Sequence, residues 1–182
     1  MRVVGGKWRT KPLRAPTGKD TRPTTDRTRE ALFSMLTSRL DFDNLRVLDL
    51  FAGTGALGLE ALSRGAEFCL FVETQAPARA AIRDNVETCN ATGHSKIFRR
   101  DATDLGPCTG GGTYDLVFAD PPYQQGLGEQ ALGALLKGAW LAPSALIVVE
   151  EDKRASFKTP AGFAELDRRK KGDTELIFCT PN

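Results

Sequence analysis

Four consecutive residues, Asp120-Pro121-Pro122-Tyr123, place a carboxylate, two stiff imino acids and an aromatic ring directly after the apolar run from Tyr114 to Ala119. A buried strand ending this way offers a planar base a ring to stack on, and offers its amino group hydrogen-bond acceptors. The chemistry this equipment suits is reaction at an exocyclic NH2. Asp-Pro-Pro also occurs as a plain loop stop, in which the acid caps and the prolines block continuation of the strand. A second motif, placed upstream where a nucleotide-binding strand and turn belong, favours the chemical reading.

That motif is Val47-Leu48-Asp49-Leu50-Phe51-Ala52-Gly53-Thr54-Gly55-Ala56-Leu57-Gly58. Its glycines let a turn approach a ligand closely before a helix begins. Glu73 falls twenty residues after Gly53, at the end of the next apolar run, where a carboxylate can take both hydroxyls of a ribose. Gly53, Gly55 and Gly58 also satisfy G-x-G-x-x-G, so a dinucleotide enters the comparison. Asp49 would repel a pyrophosphate and attract a ligand ammonium, and Asp-Pro-Pro-Tyr has no part in hydride transfer. S-adenosylmethionine, with an ammonium, a sulfonium, a ribose and an adenine, fits these residues better.

The elements that must position both motifs alternate along the chain. Arg2 to Val4 and Trp8 to Thr10 suggest a small hairpin or extended arm. Ala31, Leu32, Met35, Leu36 and Leu40 recur at helical spacing after Pro23-Thr24-Thr25-Asp26, which offers Thr or Asp as the cap. Strands follow at Arg46 to Leu50, Phe68 to Val72, Lys96 to Arg99, Tyr114 to Ala119 and Ala145 to Glu150. Helices are expected over Ala56 to Arg64, Ala76 to Ala91 and near Gly128 to Ala139. Phe163 to Arg168 and Thr174 to Thr180 read as a hairpin turning at Lys170-Lys171-Gly172-Asp173. The alternation predicts an α/β, Rossmann-like fold with a mostly parallel sheet covered on both faces, and in such folds ligands sit at the carboxyl ends of strands. Both motifs lie at such ends.

Composition narrows the function classes. The 182 residues, 41% hydrophobic, suit one globular domain with a small appendage. Cys69, Cys89, Cys108 and Cys179 show no C-x-x-C spacing, as expected of reduced thiols in a cytosolic protein. His94 is the sole histidine, which disfavours a zinc site or a Ser-His-Asp triad. The N-terminus lacks a secretion signal's apolar core, and no apolar run nears the roughly 20 residues that cross a bilayer, so a soluble protein is expected.

The net charge of +2 hides an asymmetry. Residues 1 to 30 hold nine Lys and Arg against three acids, and the remainder sixteen against twenty. Lys7, Arg9, Lys11 and Arg14, with Trp8 among them, suit an arm that grips phosphates while an aromatic stacks; a solvated N-terminus is the plainer reading. A second basic run, Arg168 to Lys171, reads as a solvated turn.

Three segments carry a family resemblance: Arg22-Pro23-Thr24-Thr25-Asp26-Arg27-Thr28-Arg29-Glu30-Ala31-Leu32-Phe33, the stretch from Leu48 through the glycine turn to Ala66, and Tyr114 to Tyr123. Together they resemble the RsmD-type 16S rRNA (guanine(966)-N2)-methyltransferases over nearly the whole chain. The resemblance implies a seven-stranded, mostly parallel sheet with a C-terminal antiparallel hairpin, a basic arm over residues 1–22 and a methyltransferase domain over 23–182. It implies that Asp49, Gly53 and Gly55 surround the methionine part of S-adenosylmethionine, that Glu73 holds the ribose, and that Asp101 with Ala102 meets the adenine. Arg22 and Thr24 would help close that site, while Asp26 would only cap its helix. A partly assembled small ribosomal subunit as substrate, a monomer and a cytoplasmic location are further implications.

Guanine's amino nitrogen is a poor nucleophile because its lone pair is delocalised into the ring. The expected remedy is that the Asp120 carboxylate and Pro121 carbonyl accept its two N–H groups, Pro122 stiffens the backbone and Tyr123 stacks on the extruded base. An adenine-N6 methyltransferase on RNA or DNA shares this logic, although the chain is short for an added DNA-recognition domain. A non-catalytic RNA-binding module would keep the basic arm without needing Asp120 or the glycine turn.

Overall fold

The computed structural model describes residues 1–15, 25–122 and 126–182. Arg22, Thr24 and Tyr123, all expected at the site, lie outside the described residues. The chain divides into two compact units, Met1–Arg99 and Arg100–Asn182.

In the first unit, α1 (Asp26–Thr37) is followed by β1 (Arg46–Leu50), α2 (Ala56–Ser63), β2 (Phe68–Val72), α3 (Ala76–Thr88) and β3 (Ser95–Phe98). The strands pair in parallel, with Asp49 opposite Phe71 and Phe71 opposite Ile97. Val47, Leu48, Leu50 and Phe71 are fully buried, as are Leu59 of α2 and Ile82 of α3. Continuous apolar strands of this kind are what parallel pairing under helices demands.

Helix α2 is buried at every position but Leu57, which one sheet cannot achieve. Its outer side is covered by residues 1–15, folded into a short antiparallel hairpin. Arg2 bridges Pro12, Val3 N–H donates to the Lys11 carbonyl, and Gly6–Trp8 form a 3-10 turn at the tip. Val4 N–H donates to Glu60 Oε2 at 2.9 Å, Trp8 N–H to Ser63 Oγ at 2.9 Å, and Ser63 Oγ–H to the Gly5 carbonyl at 2.6 Å. Neither of the two β pieces expected in this arm forms a regular strand: Arg2 to Val4 is reduced to the single bridge to Pro12, and the second is replaced by the 3-10 turn and the return that follows it.

The cap of α1 is Thr25, whose side chain accepts from Thr28 N–H at 3.2 Å. The capping role expected of Asp26 is therefore corrected: Asp26 is the first helical residue. Its carboxylate instead meets the fully buried Arg29 at 2.7 Å and Arg2, whose carbonyl the Arg29 guanidinium also reaches. A carboxylate pinned by a guanidinium sits below its ordinary pKa despite the opposing effect of burial.

In the second unit, β4 (Tyr114–Ala119) pairs in parallel with β5 (Leu141–Asp152), α4 (Leu127–Lys137) lies between them in sequence, and β6 (Phe163–Lys171) and β7 (Thr174–Pro181) form the C-terminal hairpin. Strand β7 lies antiparallel between β5 and β6. Strand β5 begins at Leu141, before Pro143, and β6 extends through the basic run, so the hairpin turn narrows to Gly172-Asp173. Arg168 pairs with Glu165 and Glu175 at 2.8 Å each, and Arg169 with Asp167 at 2.9 Å. The run is thus largely neutralised within its own hairpin. Among the described residues no helix is long and apolar enough to cross a membrane.

Candidate active site

The turn after β1 begins with Phe51 at φ +56°, a left-handed conformation that costs a bulky residue energy and marks functional turns. Gly53 and Gly55 follow at φ +55° and +74°, where glycine alone is unstrained. Gly58 serves a different need: a Cβ there would lie closer than 3.0 Å to Cys69 Sγ and to the Phe71 ring. Its absence lets the first turn of α2 press onto β2 and brings Gly58 N–H to Asp49 Oδ2 at 2.9 Å.

Asp49 is 2% exposed. Burial pushes its pKa from 3.8 up to about 8, Glu73's charge adds to the rise, and the Gly58 hydrogen bond opposes it. The same burial, with Asp49 beside it, raises the Cys69 thiol well above its usual range, so that cysteine is inert packing. Glu73 stands one residue past β2, its own N–H donating to the Phe98 carbonyl at 3.1 Å. Its Oε2 accepts Gly53 N–H at 2.9 Å and its Oε1 accepts Gln75 N–H at 2.8 Å. One carboxylate therefore joins the glycine turn to the start of α3. Gly53 and Glu73 are thus hydrogen-bonded and Asp49 feels the charge of Glu73, with Gly55 in the same turn.

In the second unit, Asp101 is exposed and its Oδ1 accepts the N–H and hydroxyl of Thr103 at 2.8 and 2.7 Å, which hold its pKa below the usual carboxylate value. Ala102 is buried at 3% exposure. Asp120 is half-buried directly after β4, Pro121 is buried and Pro122 is exposed.

The cations of the hairpin divide into two groups. Lys7 and Arg9 are exposed, with Lys7 Nζ 4.6 Å from the centroid of the half-buried Trp8 ring. Lys11 donates to the Thr88 carbonyl at 2.9 Å and Arg14 pairs with Asp84 at 3.3 Å, so both tie the hairpin to α3. Asn85, which sequence reading passed over, is fully buried and hydrogen-bonds Arg14 and Thr54. Its one signal is a carboxamide in the stripe Ile82, Val86, Cys89, where an apolar residue is expected.

Comparison with known proteins identifies the fold and the family. The solved structure of yhhF from Escherichia coli is 32% identical and matches with a TM-score of 0.83 over 100% of this chain and 97% of its own. That of HI0767 from Haemophilus influenzae is 30% identical, with a TM-score of 0.81 over 99% and 97%. The fold is the α/β, Rossmann-like fold of methyltransferases, and the chain is an enzyme of that class.

The chain belongs to the family described as conserved hypothetical protein 95, whose model matches residues 1–180. It is 36% identical to ribosomal RNA small subunit methyltransferase D of Escherichia coli over 93% of this chain and 84% of that protein. The protein of the same name from Haemophilus influenzae is 33% identical, over 94% and 89%. The resemblance carried by the three motifs is thereby established.

Proposed function

We propose that this chain transfers a methyl group from S-adenosylmethionine to the exocyclic N2 of a guanine in 16S ribosomal RNA, guanine 966 in the numbering of the resembled family. The observation that carries the reading is the half-buried Asp120, followed by buried Pro121 at the end of β4, in a chain whose relatives are named for methylation of small-subunit ribosomal RNA.

The first unit's residues suit the methyl donor. Burial holds the Asp49 carboxyl at about pKa 8, and an ammonium group brought to it would favour the ionised form. Glu73 is fixed by two backbone N–H groups and keeps further lone pairs for ribose hydroxyls. Gly53 and Gly55 leave the turn without side chains near the ligand, and Asp101 with Ala102 takes the adenine. Arg22 and Thr24 close the site. Bound there, S-adenosylmethionine supplies a methyl group already activated by the sulfonium charge.

The acceptor is prepared by the residues after β4. Asp120 and the Pro121 carbonyl accept the two amino hydrogens, which favours a pyramidal nitrogen with its lone pair free to attack. Pro122 restricts the backbone and Tyr123 stacks on the extruded base. As the new N–C bond forms the sulfonium–methyl bond breaks, its electron pair staying on the departing thioether sulfur, and the now acidic N–H proton is released to water, so no strong base is required. Residues 1–22 act as an arm, with Lys7, Trp8, Arg9, Lys11 and Arg14 against RNA, and residues 23–182 as the methyltransferase domain. The substrate is a partly assembled small subunit and the enzyme works as a monomer.

The test is Asp120→Ala assayed with labelled methyl donor and undermethylated small subunits. Turnover should fall by about 10²–10³-fold while cofactor affinity persists. Near-normal methylation by the variant would remove Asp120 from the reaction.

A further inference from the structure

The first unit holds a groove of about 380 Å³ lined by α3, β3 and the residues flanking β3, and none of Asp49, Gly53 or Glu73 lines it. Arg79 and Arg83 of α3, Lys96 of β3 and Arg99 just beyond it place four cations on its walls against one acid, Glu87. Arg79 is committed in part, its guanidinium donating to the Thr74 and Glu73 carbonyls. Arg83, Lys96 and Arg99 are exposed, and none of them makes an ion pair among the described residues.

Glu87 stands one helical turn from Arg83, the spacing at which such pairs form, yet no ion pair among the described residues joins them. Arg79 and Arg83 are themselves one turn apart, and like charges at that spacing are mutually unfavourable. A concave surface that accumulates unpaired positive charge suits an anionic partner.

The dimensions favour a polymer over a single small anion. Arg79 and Arg83 are separated by about 5–6 Å along one helix face. Lys96 and Arg99 are three residues apart in extended chain, a span of about 10 Å. Two neighbouring side chains could clasp one phosphate, but four cations carried on a helix and a strand outnumber its charge, whereas a backbone with a charge at every nucleotide can meet them in turn.

We infer that this groove binds the phosphate backbone of the RNA substrate, as a contact additional to the N-terminal hairpin. The inference rests on the ribosomal RNA reading above. Val86 and Ile97 give the groove an apolar floor suited to ribose and base faces, so the contact positions RNA without reading its sequence.

The experiment uses the full chain and the double variant Arg83→Glu/Lys96→Glu, with Arg83→Gln/Lys96→Gln as a milder pair. Retention of labelled 16S rRNA on filters is measured across a salt series, independently of turnover. The reversal should weaken binding about tenfold or more, and each pair should lower the slope of log affinity against log salt by about 1.4–1.8. The thermal midpoint and S-adenosylmethionine affinity should hold, because these side chains are exposed and line no part of the cofactor constellation. An unchanged slope overturns the groove assignment even if the wild type methylates small subunits normally. Failure of the wild type to methylate them overturns the earlier reading, while filter retention still decides the groove. If inorganic pyrophosphate protects the wild type and not the variant from thermal unfolding, with RNA slopes equal, the groove is a small-anion site and the RNA assignment falls.

Discussion

Asn85 and Arg14 hold each other through a reciprocal pair of hydrogen bonds: Arg14 N–H donates to Asn85 Oδ1 at 2.7 Å, and Asn85 Nδ2 donates to the Arg14 carbonyl at 2.9 Å. The carboxamide pairs with the hairpin's main chain as another peptide group would. Its second N–H donates to the Thr54 carbonyl at 3.0 Å, inside the glycine turn. One side chain on α3 thus fastens the basic hairpin and the glycine turn to the same point.

Asn85→Ala should cost about 2–3 kcal/mol of stability, since it strands partly buried backbone groups of Arg14 and Thr54. Asn85→Asp should be worse near neutral pH, because a carboxylate would face two carbonyl oxygens, and it should partly recover in acid. Urea denaturation of the three proteins measures this, and calorimetric titration with S-adenosylmethionine should show weaker binding in both variants. Equal stability of the Asp and Ala proteins at pH about 8 would contradict the assigned hydrogen bonds.

Asp49 makes the ligand-free protein sensitive to pH. Its pKa is raised from 3.8 to about 8, so the folded state binds a proton that the unfolded state has already released. Stability associated with this group is therefore complete below about pH 4 and is lost as pH climbs through about 8. Asp49→Asn should remove that part of the slope in melting temperature against pH. Cofactor affinity should change the opposite way in the wild type, tightening as pH rises toward about 8, because an ammonium ligand requires the carboxylate. Binding measured in two buffers of different ionisation enthalpy would register the released proton, and its absence would count against an Asp49–ammonium contact.

Gly58→Ala should destabilise the fold by about 1–3 kcal/mol, since the new methyl meets Cys69 Sγ and the Phe71 ring. Cys69→Ala in the same chain should restore part of the loss by removing one obstacle. If the single variant melts with the wild type, the close approach of α2 to β2 is wrong.

The hairpin's cations should separate by role. Lys7→Ala/Arg9→Ala, exposed, should weaken RNA retention and flatten its salt dependence with little change in melting temperature. Lys11→Ala/Arg14→Ala also removes the ties to Thr88 and Asp84, but the Arg14–Asp84 pair is exposed and the change in stability should stay below about 1 kcal/mol. Identical RNA binding by the Lys7/Arg9 variant and the wild type would reduce the hairpin to a cover for α2.

Much of this architecture is legible in the chain because periodicity and glycine placement are local signals. The bounds of β1, β2 and β4 coincide with the apolar runs, and Asp49, Gly53, Gly55 and Glu73 come together because parallel pairing brings adjacent strand ends side by side. Pro143 hid the start of β5, Leu141 to Ser144, since proline inside a run argues against a strand. The charged composition of Arg168 to Lys171 disguised the end of β6, where Arg168 and Lys170 pair across the strands with Glu175, and Arg169 pairs with Asp167 of its own strand, which makes the cations compatible with pairing. Docking of the hairpin depends on Glu60, Ser63 and Asn85, which are 55 to 71 residues from their partners and leave no local trace. The cations of the groove are likewise scattered from position 79 to position 99, and only the fold gathers them.

The most direct test of methylation at guanine N2 is the identity of the product. Small subunits lacking the modification would be incubated with this protein and isotopically labelled S-adenosylmethionine, and their nucleosides resolved by mass spectrometry. The account predicts labelled N2-methylguanosine from 16S rRNA alone; labelled N6-methyladenosine, or no labelled nucleoside with an active preparation, would contradict it.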